Sequence, residues 1–292
     1  MPRGAWRIGA ALERIRMAMQ PVTLITGASS GIGAALARVF AEHGHALVLV
    51  ARREIQLAQL ADEIAAAGHE RPQTIAVDLG RVDAAARIGH ELAARGLEPA
   101  YVVNNAGFGL VGQAAELDRN EQLAIVDLNI RTLTDLSLRW IESLKRNKGG
   151  ILNVASVAAF MPGPGMAVYY ATKAYVLSFS EALHRELAAD GVRVTVLCPG
   201  PVSTEFQSRA GMAADHFPRF LARSAGRVAA EGYEALMRGR RVAIPGFHNR
   251  VAAFLPRLVP RALLLSVLHR MQSQRKAPVT GPRWPKRPSP QP

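Results

Sequence analysis

Short apolar runs alternate along the chain with longer stretches in which apolar residues recur at helical spacing. The runs are rich in Val, Ile and Leu, and they predict seven strands at residues 22–25, 46–50, 73–77, 100–103, 150–154, 193–197 and 242–244. The stretches between them predict helices, among them residues 34–43, 55–67 and 167–188. This regular alternation is typical of an α/β domain with a doubly wound parallel sheet.

Composition agrees with one large domain. The chain has 292 residues, of which 49% are apolar and 20% are charged, so it can bury a substantial core. A single cysteine, Cys198, excludes an internal disulfide and fits a reducing compartment without requiring one. No C-x-x-C or H-x-x-x-H spacing suggests a metal site, so none is predicted.

The net charge of +13 is concentrated at the two ends of the chain. Residues 1–20 contain four Arg and one Glu, and residues 238–292 contain twelve Lys or Arg and no acid, which leaves −2 for residues 21–237. The central part is therefore nearly neutral. Because no recognised motif or aromatic interleaving accompanies the basic ends, they do not predict nucleic-acid binding.

The chain divides into four predicted segments: an N-terminal extension (1–20), the α/β domain (21–247), a basic amphipathic helical extension (248–276) and a proline-rich disordered tail (277–292). In the extension one helical face collects Leu263, Leu264, Val267, Leu268 and Met271. The simpler interpretation is that this face packs on the domain or on a second subunit. The alternative is that a basic amphipathic helix lies on an anionic membrane, through roughly residues 251–274.

A glycine-rich turn follows the first strand and runs directly into a helix. Strand, glycine turn and helix together aim backbone N–H groups and a helix dipole at a phosphate group. The spacing is G-x3-G-x-G, and the candidate cofactor-binding residues are Gly27, Ser29, Ser30, Gly31, Ile32 and Gly33.

A second constellation has the spacing S-x12-Y-x3-K. Ser156 follows the strand at 150–154, while Tyr169 and Lys173 are four residues apart on the next helix and so share one face. A nearby cation favours a phenolate, so Lys173 is expected to lower the pKa of Tyr169 and make it a usable acid or base. Tyr170 lies about 100° away around the helix, which makes Tyr169 the better candidate.

The end of the second strand indicates which dinucleotide is bound. A site for NAD places Asp or Glu there to bind the ribose 2′-hydroxyl, but this chain has Arg52 and Arg53. A guanidinium can bind a 2′-phosphate through paired hydrogen bonds, so NADP(H) is favoured over NAD(H).

With Asn104-Asn105-Ala106-Gly107, Asn129 and Pro199-Gly200 added, the chain resembles the short-chain dehydrogenase/reductase superfamily over residues 22–246. The resemblance implies a Rossmann-like fold and assigns further roles. Asp78 and Leu79 would contact adenine, and Asn129 would hold a water in a proton relay behind Lys173. Lys173 and Tyr169 would also contact the nicotinamide ribose. The remaining implied cofactor-binding residues are Asn105, Ala106, Gly107, Pro199, Gly200, Val202 and Thr204.

The implied reaction is hydride transfer between NADP(H) and a carbonyl or secondary alcohol, catalysed by Asn129, Ser156, Tyr169 and Lys173. Two loops, after Ser156 and after Thr204, are apolar, which suggests an apolar fatty-acyl, sterol-like or small ketone substrate. Their apolar residues are Val157, Phe160, Met161, Pro162, Phe206, Met212, Phe217 and Phe220. The same composition would equally suit loops that close on the cofactor or pack on another subunit. A non-catalytic NADP-binding sensor or scaffold is the alternative. A cytoplasmic homo-oligomer, dimer or tetramer, with peripheral membrane contact as an open alternative, completes the expectation.

Overall fold

The structure is a computed structural model that describes residues 19–202, 204–211 and 223–273. Four groups of predictions lie outside these residues. They are the N-terminal extension up to residue 18, Ser203 of the proline–glycine motif, the loop residues Met212, Phe217 and Phe220, and the tail from residue 274.

Seven parallel strands form a single sheet in the order β3-β2-β1-β4-β5-β6-β7. The strands are β1 Gln20–Thr26, β2 Leu47–Ala51, β3 Gln73–Ala76, β4 Leu97–Asn104, β5 Gly150–Val154, β6 Arg193–Leu197 and β7 Val242–Ala243. The predicted doubly wound sheet is confirmed. Strand β4 begins three residues before its predicted start because Leu97 and Glu98 pair with Gln20 and Pro21.

Eleven α-helices occur in the described part of the chain. They are α1 Gly31–Glu42, α2 Glu54–Ala66, α3 Ala84–Ala94, α4 Arg119–Val126, α5 Leu133–Arg139, α6 Ile141–Arg146, α7 Ala167–Leu187, α8 Glu205–Arg209, α9 Ala225–Met237, α10 Phe247–Phe254 and α11 Arg261–Ser273. A π-helical turn, Asp127–Thr132, joins α4 to α5, and 3₁₀ turns occupy Val157–Phe160, Ala188–Asp190 and Leu255–Arg257.

Both faces of the sheet are covered. Successive side chains of a strand point to opposite faces, so Ile25 packs with α1, α2 and α9 while its neighbour Leu24 packs with α3, α4 and α5. Helices α6 and α7 cover Val102 and Ile151 on that second side. Strands buried on both faces explain the continuous apolar runs of the sequence.

The predicted extension, residues 248–276, contains α10 and α11, separated by the turn at Leu255–Arg257 and by Pro260. Leu264 and Leu268 are half-buried, but Leu263 and Val267 are exposed, and the side chain of Met271 lies outside the described residues. The chain's own fold therefore covers only part of the stripe, and packing on the domain or on a second subunit stays a prediction. No helix among the described residues is long and apolar enough to cross a membrane.

Candidate active site

The predicted site residues come together at the carboxyl edge of the sheet, around the ends of β1, β4, β5 and β6. Chain order reverses between β1 and β4, because β1 pairs with β2 on one side and with β4 on the other. Ligands of open α/β sheets bind beside such a switch point. The sheet topology therefore brings the glycine turn after β1 next to the asparagine motif after β4.

Glycine is required at two positions of the turn by close approach of neighbouring atoms. A Cβ at Gly27, whose φ is 65°, would lie 2.8 Å from Asn105 Nδ2. A Cβ at Gly33 would overlap the carbonyl of Gly27. The backbone of the turn is thus held close to the asparagine motif, with the N-terminus of α1 opening beside it.

Asn105 clamps this turn from the β4 side. Its Nδ2 donates to the carbonyls of Thr26 (3.0 Å) and Gly27 (3.2 Å). In return the Thr26 hydroxyl accepts from the backbone N–H groups of Asn105 (3.0 Å) and Ala106 (3.2 Å). Thr26 was not among the predicted site residues, although it opens the glycine motif in the sequence.

Ser29 and Ser30 precede α1, and Ile32 is its second residue. Ser30 is the residue before the helix, and its side chain makes no capping bond, so the first N–H groups of α1 stay available to a ligand. Gly31, with φ 58°, faces Thr204: a Cβ there would lie 3.1 Å from Thr204 Cγ2. An N-terminus of this kind, open and flanked by serine hydroxyls, fits the pyrophosphate of a dinucleotide.

Arg53 lies against the glycine turn, whereas Arg52 is exposed. The Arg53 guanidinium donates to Ser29 Oγ at 3.1 and 3.2 Å and to the Ser29 carbonyl at 3.2 Å. On its other side it forms an ion pair with Glu205 at 3.0 Å. Of the two predicted arginines, Arg53 is thus placed beside the phosphate cradle, and Glu205 is a partner that the sequence did not reveal.

The predicted adenine contacts, Asp78 and Leu79, follow β3. Asp78 Oδ1 accepts from the backbone N–H of Gly80 at 3.0 Å, which fixes the turn. Leu79 is buried, and its carbonyl accepts from the Thr132 hydroxyl at 2.7 Å. This turn is therefore tied to the π-helical segment that also carries Asn129.

Ser156, Tyr169 and Lys173 assemble between β5 and α7. The Ser156 hydroxyl accepts from the Ala158 N–H at 3.1 Å and lies 3.5 Å from the Pro199 carbonyl oxygen. Tyr169 and Lys173 are both buried, and Lys173 Nζ lies 5.8 Å from the centre of the Tyr169 ring. Lys173 Nζ donates to the Val154 carbonyl at 2.9 Å, so the end of β5 positions the ammonium.

The pKa of Tyr169 differs from the sequence-based expectation. Burial raises the pKa of the phenol, and a hydrogen bond with Ser156 lowers it by less. Burial also lowers the pKa of Lys173 to about 8. The expected lowering of the Tyr169 pKa by Lys173 is therefore not seen in the protein alone, because burial raises this pKa by more than Ser156 lowers it.

Asn129 lies fully buried in the π-helical turn, a deviation from α-helix that is frequent at functional sites. Its amide clamps Phe108: Oδ1 accepts from the Phe108 N–H at 3.2 Å, and Nδ2 donates to the Phe108 carbonyl at 3.0 Å. Nδ2 also donates to Thr172 Oγ1 at 3.0 Å. A Cβ at Gly107 would lie 2.9 Å from Asn129 Oδ1 and 3.5 Å from Lys173 Nζ, so these three residues meet at one point.

The proline–glycine motif after β6 forms the opposite wall. The Pro199 carbonyl accepts from the Val157 N–H at 2.9 Å, Val202 is buried, and Thr204 faces the glycine turn. Gly200 lies against Asn249 of α10: a Cβ at Gly200 would overlap the Asn249 amide. Asn249 Nδ2 donates to the Pro245 carbonyl at 2.6 Å, a contact for which the sequence held no local signal.

Apolar side chains surround Tyr169. Its ring centre lies 5.4 Å from that of Phe206 and 6.1 Å from that of Tyr170. The same cluster contains Val111, Ala158 and Met166. Of the predicted apolar loop residues, Phe206 is brought to the tyrosine, while Val111 and Met166 come from segments that the sequence analysis did not consider.

The comparisons with known proteins agree with this geometry. A family model described as "short chain dehydrogenase" matches residues 21–214. The chain belongs to the short-chain dehydrogenase family. It is 38% identical, over 64% of its length and 75% of the relative's, to sulfoacetaldehyde reductase 2 of Chromohalobacter salexigens. The sequence-based resemblance is confirmed at the level of the family.

Two solved structures of the short-chain dehydrogenase fold are similar over most of the chain. One is a short-chain dehydrogenase from Sphingobium yanoikuyae in complex with NADPH: TM-score 0.72, 29% identity, 90% of this chain and 99% of that one covered. The other is the bulky-bulky ketone specific alcohol dehydrogenase from Comamonas testosteroni: TM-score 0.68, 28% identity, 83% and 96% covered. Membership of this family makes the chain an NAD(P)-dependent oxidoreductase acting between alcohols and carbonyl compounds.

Proposed function

We propose that the protein is an NADP(H)-preferring oxidoreductase that interconverts an apolar ketone and its secondary alcohol. The observation that carries the substrate class is the wall around Tyr169, where Val111, Ala158, Met166 and Phe206 surround the catalytic phenol. Apolar walls with a few polar groups are typical of sites that bind small molecules. The apolar side chains around Tyr169 would favour a substrate that has an apolar group on each side of its carbonyl carbon. The Comamonas relative, named for bulky-bulky ketones, supports the same class.

The residues divide the proton chemistry among them. In carbonyl reduction Tyr169 donates its proton to the carbonyl oxygen, and Ser156 donates a hydrogen bond to the same oxygen. The raised pKa keeps Tyr169 protonated at neutral pH, which suits it as the acid in this direction. When bound, the dihydronicotinamide supplies the hydride for the carbonyl carbon.

Lys173 and Asn129 position the site behind the phenol. The Lys173 ammonium, held by the Val154 carbonyl, is placed to bind ribose hydroxyls and to stabilise negative charge on Tyr169 after proton transfer. Asn129 fixes the backbone at Phe108 and meets Lys173 beside Gly107. A water held there would pass protons between Lys173 and solvent, which is the role inferred from the family motif.

The cofactor preference rests on Arg53. Its guanidinium lies beside Ser29 at the phosphate cradle and shares its charge with Glu205 at 3.0 Å. A 2′-phosphate in this position would form charge-assisted hydrogen bonds with Arg53. Support also comes from the absence of an acidic residue at Ala51 and Arg52, and from the NADPH held by the Sphingobium relative.

Cofactor titrations test this preference. We expect the Kd for NADPH to be at least about tenfold below that for NADH, since one guanidinium–phosphate contact supplies about 1.5–3 kcal/mol. Arg53→Ala should remove most of the difference by weakening NADPH alone. Arg52→Ala is the comparison variant, because Arg52 is the other predicted arginine and lies exposed rather than against the glycine turn. Equal affinities of the wild-type protein for the two cofactors would contradict the preference.

A substrate panel tests the reaction. Ketones and secondary alcohols of increasing apolar bulk, supplied with NADPH or NADP⁺, should give the highest kcat/KM for ketones with an apolar group on each side. Higher kcat/KM for small charged aldehydes would contradict the substrate class. Cofactor binding without turnover of any panel member would favour the alternative of a non-catalytic NADP-binding sensor.

A further inference from the structure

Helix α10 carries its apolar stripe on the solvent side. Phe247, Val251 and Phe254 follow the i, i+4, i+7 spacing of one helical face, and they are 75%, 47% and 56% exposed. The residues that α10 buries are Asn249 and Ala253. This arrangement inverts the usual amphipathic order of a surface helix, in which the apolar side faces the core.

The exposed apolar side chains continue through the following turn into α11. Leu258 is 67% exposed, and Leu263 and Val267, one helical turn apart, are also exposed. Of the thirteen exposed large apolar side chains among the described residues, eight lie between Phe247 and Val267. We call Phe247, Val251, Phe254, Leu258, Leu263 and Val267 the C-terminal apolar surface.

The charges interspersed with this surface all have one sign. Between residues 247 and 273 the chain has four arginines, Arg250, Arg257, Arg261 and Arg270, and no Asp or Glu. Residues 238–292 together contain twelve Lys or Arg and no acid. Apolar side chains among arginines, with no acid between them, match an interface that is apolar inside and negatively charged at its surface.

A second copy of the chain matches this surface less well. A symmetric contact places the same patch on both partners, so it would collect the arginines of two copies in one interface to which this segment contributes no Asp or Glu. An anionic lipid surface has the opposite charge and accepts the apolar side chains between its headgroups, while arginines extend to the phosphates.

We propose that the C-terminal apolar surface binds the face of an anionic lipid bilayer, with α10 and α11 lying along it. This inference does not depend on the proposed substrate or cofactor. Helix α10 packs against the turn Val157–Phe160 that follows Ser156, and Asn249 lies against Gly200. Binding would therefore hold the bilayer next to elements that form walls of the active site.

Vesicle co-sedimentation of the full chain tests the proposal. Phosphatidylcholine vesicles with and without about one third phosphatidylglycerol are compared at low salt and at about 1 M salt, where the screening length is about 3 Å. We expect binding to the anionic vesicles at low salt and at least about tenfold weaker partitioning to phosphatidylcholine alone or at high salt. Equal binding to both lipids, or to neither, would overturn the proposal.

A pair of charge-matched variants separates the apolar surface from the basic tail. Leu258→Glu with Leu263→Glu should weaken partitioning to anionic vesicles at least about tenfold. Ile55→Glu with Val82→Glu changes two side chains that are also exposed, 70% and 74%, but lie in the nearly neutral part of the chain, residues 21–237. This control introduces the same charge and should partition within about twofold of the wild type.

Circular dichroism and thermal unfolding establish that both variants fold. If both variants bind anionic vesicles as well as the wild type does, the basic tail alone is responsible for vesicle binding and the proposal is wrong. Light scattering after size exclusion gives the oligomeric mass of each form. Suppose that the wild type does not bind vesicles and forms a dimer that only the Leu258/Leu263 variant fails to form. The C-terminal apolar surface then binds a second copy of the chain, and the proposal is overturned.

Discussion

The carboxyl edge of the sheet and the C-terminal helices treat polar and apolar groups in opposite ways. At the sheet edge, polar side chains are hydrogen-bonded: half-buried Asn105 with the glycine turn, and buried Asn129 and Lys173 with Phe108 and Val154. Buried Asn104 Oδ1, at the end of β4, is an exception that has no partner among the described residues. On α10 and α11, large apolar side chains remain in solvent, as Phe247 and Leu258 illustrate. The first region satisfies most of its polar groups within the chain, whereas the second leaves a large apolar surface exposed.

The difference follows from the cost of leaving each kind of group unsatisfied. A buried polar group without a partner costs about 1–3 kcal/mol, so most of the polar groups around the candidate active site are hydrogen-bonded. An exposed apolar side chain costs less individually, but several together favour binding to an apolar partner. We therefore expect substitutions around Tyr169 to change catalysis, and substitutions in the C-terminal apolar surface to change binding to an apolar partner.

Replacing Tyr169 by Phe should have the largest effect and should stay within the body. Only the proton-bearing oxygen is lost, so kcat should fall by about 10²–10⁴-fold while the Kd for the cofactor changes by less than about twofold. Steady-state kinetics and fluorescence titration measure the two. The matched control is Tyr170→Phe, because that ring packs beside Gly163 and lies 6.1 Å from Tyr169.

If Tyr169→Phe kept activity and Tyr170→Phe lost it, the assignment of the catalytic phenol would be wrong. If neither variant lost activity, the role of this helix in proton transfer would be refuted, and with it the separation between a catalytic body and accessory helices.

Lys173→Met should lower activity and raise the free energy of unfolding. Turnover and cofactor binding should both fall, because the ammonium behind Tyr169 is lost. At pH 7 the free energy of unfolding should rise by roughly 1 kcal/mol, since a buried charge is removed at the expense of one hydrogen bond to Val154. Denaturant unfolding at several pH values checks the second effect.

The pH dependence of that gain has a defined sign. The pKa of Lys173 is lowered from 10.5 to about 8 in the folded protein, so between these values the unfolded chain binds more protons. The stability contribution of Lys173 therefore rises with pH in this window, and the advantage of the Met variant should shrink. Comparing the two proteins cancels groups that do not interact with Lys173. Cys198 is an exception: burial raises its pKa to about 12, and Lys173 lowers that pKa by a smaller amount. A pH-independent difference would contradict a buried, titrating Lys173.

Two truncated chains test which C-terminal helices the catalytic domain needs. Their expected effects are the smallest of those predicted. A chain ending at residue 259 retains α10 and loses α11, so kcat should stay within about twofold and unfolding temperature within a few degrees. A chain ending at residue 246 also loses Asn249, which packs on Gly200, and should unfold at a lower temperature with reduced activity. Thermal unfolding and cofactor titration distinguish them.

The point variant Asn249→Ala sharpens this boundary, with Phe254→Ala as its control, because Asn249 is buried and Phe254 is exposed on the same helix. Equal behaviour of the two truncations would show that α10 does not support the active site. The boundary between the catalytic domain and the accessory C-terminal helices would then lie at residue 246.

The sequence by itself determined the strands, the order of the motifs and hence the family. These signals are local: apolar runs buried on both faces, a glycine turn at Gly27–Gly33, and Tyr169 four residues before Lys173. Local spacing also put Tyr169 rather than Tyr170 towards Ser156, as the buried phenol with its Ser156 hydrogen bond shows.

Only the tertiary structure decided contacts between residues far apart in the chain and the environment that they create. Arg53 meets Glu205 across 152 positions, and Asn249 reaches Gly200 from a helix outside the family motifs. Burial decided that the pKa of Tyr169 is raised rather than lowered. Helical periodicity predicted an apolar stripe in the extension, but which side of α10 and α11 faces solvent depends on what the rest of the fold leaves uncovered. The pattern of apolar and polar residues therefore specifies the helices and strands. Packing specifies which distant side chains meet and how far burial shifts their pKa values.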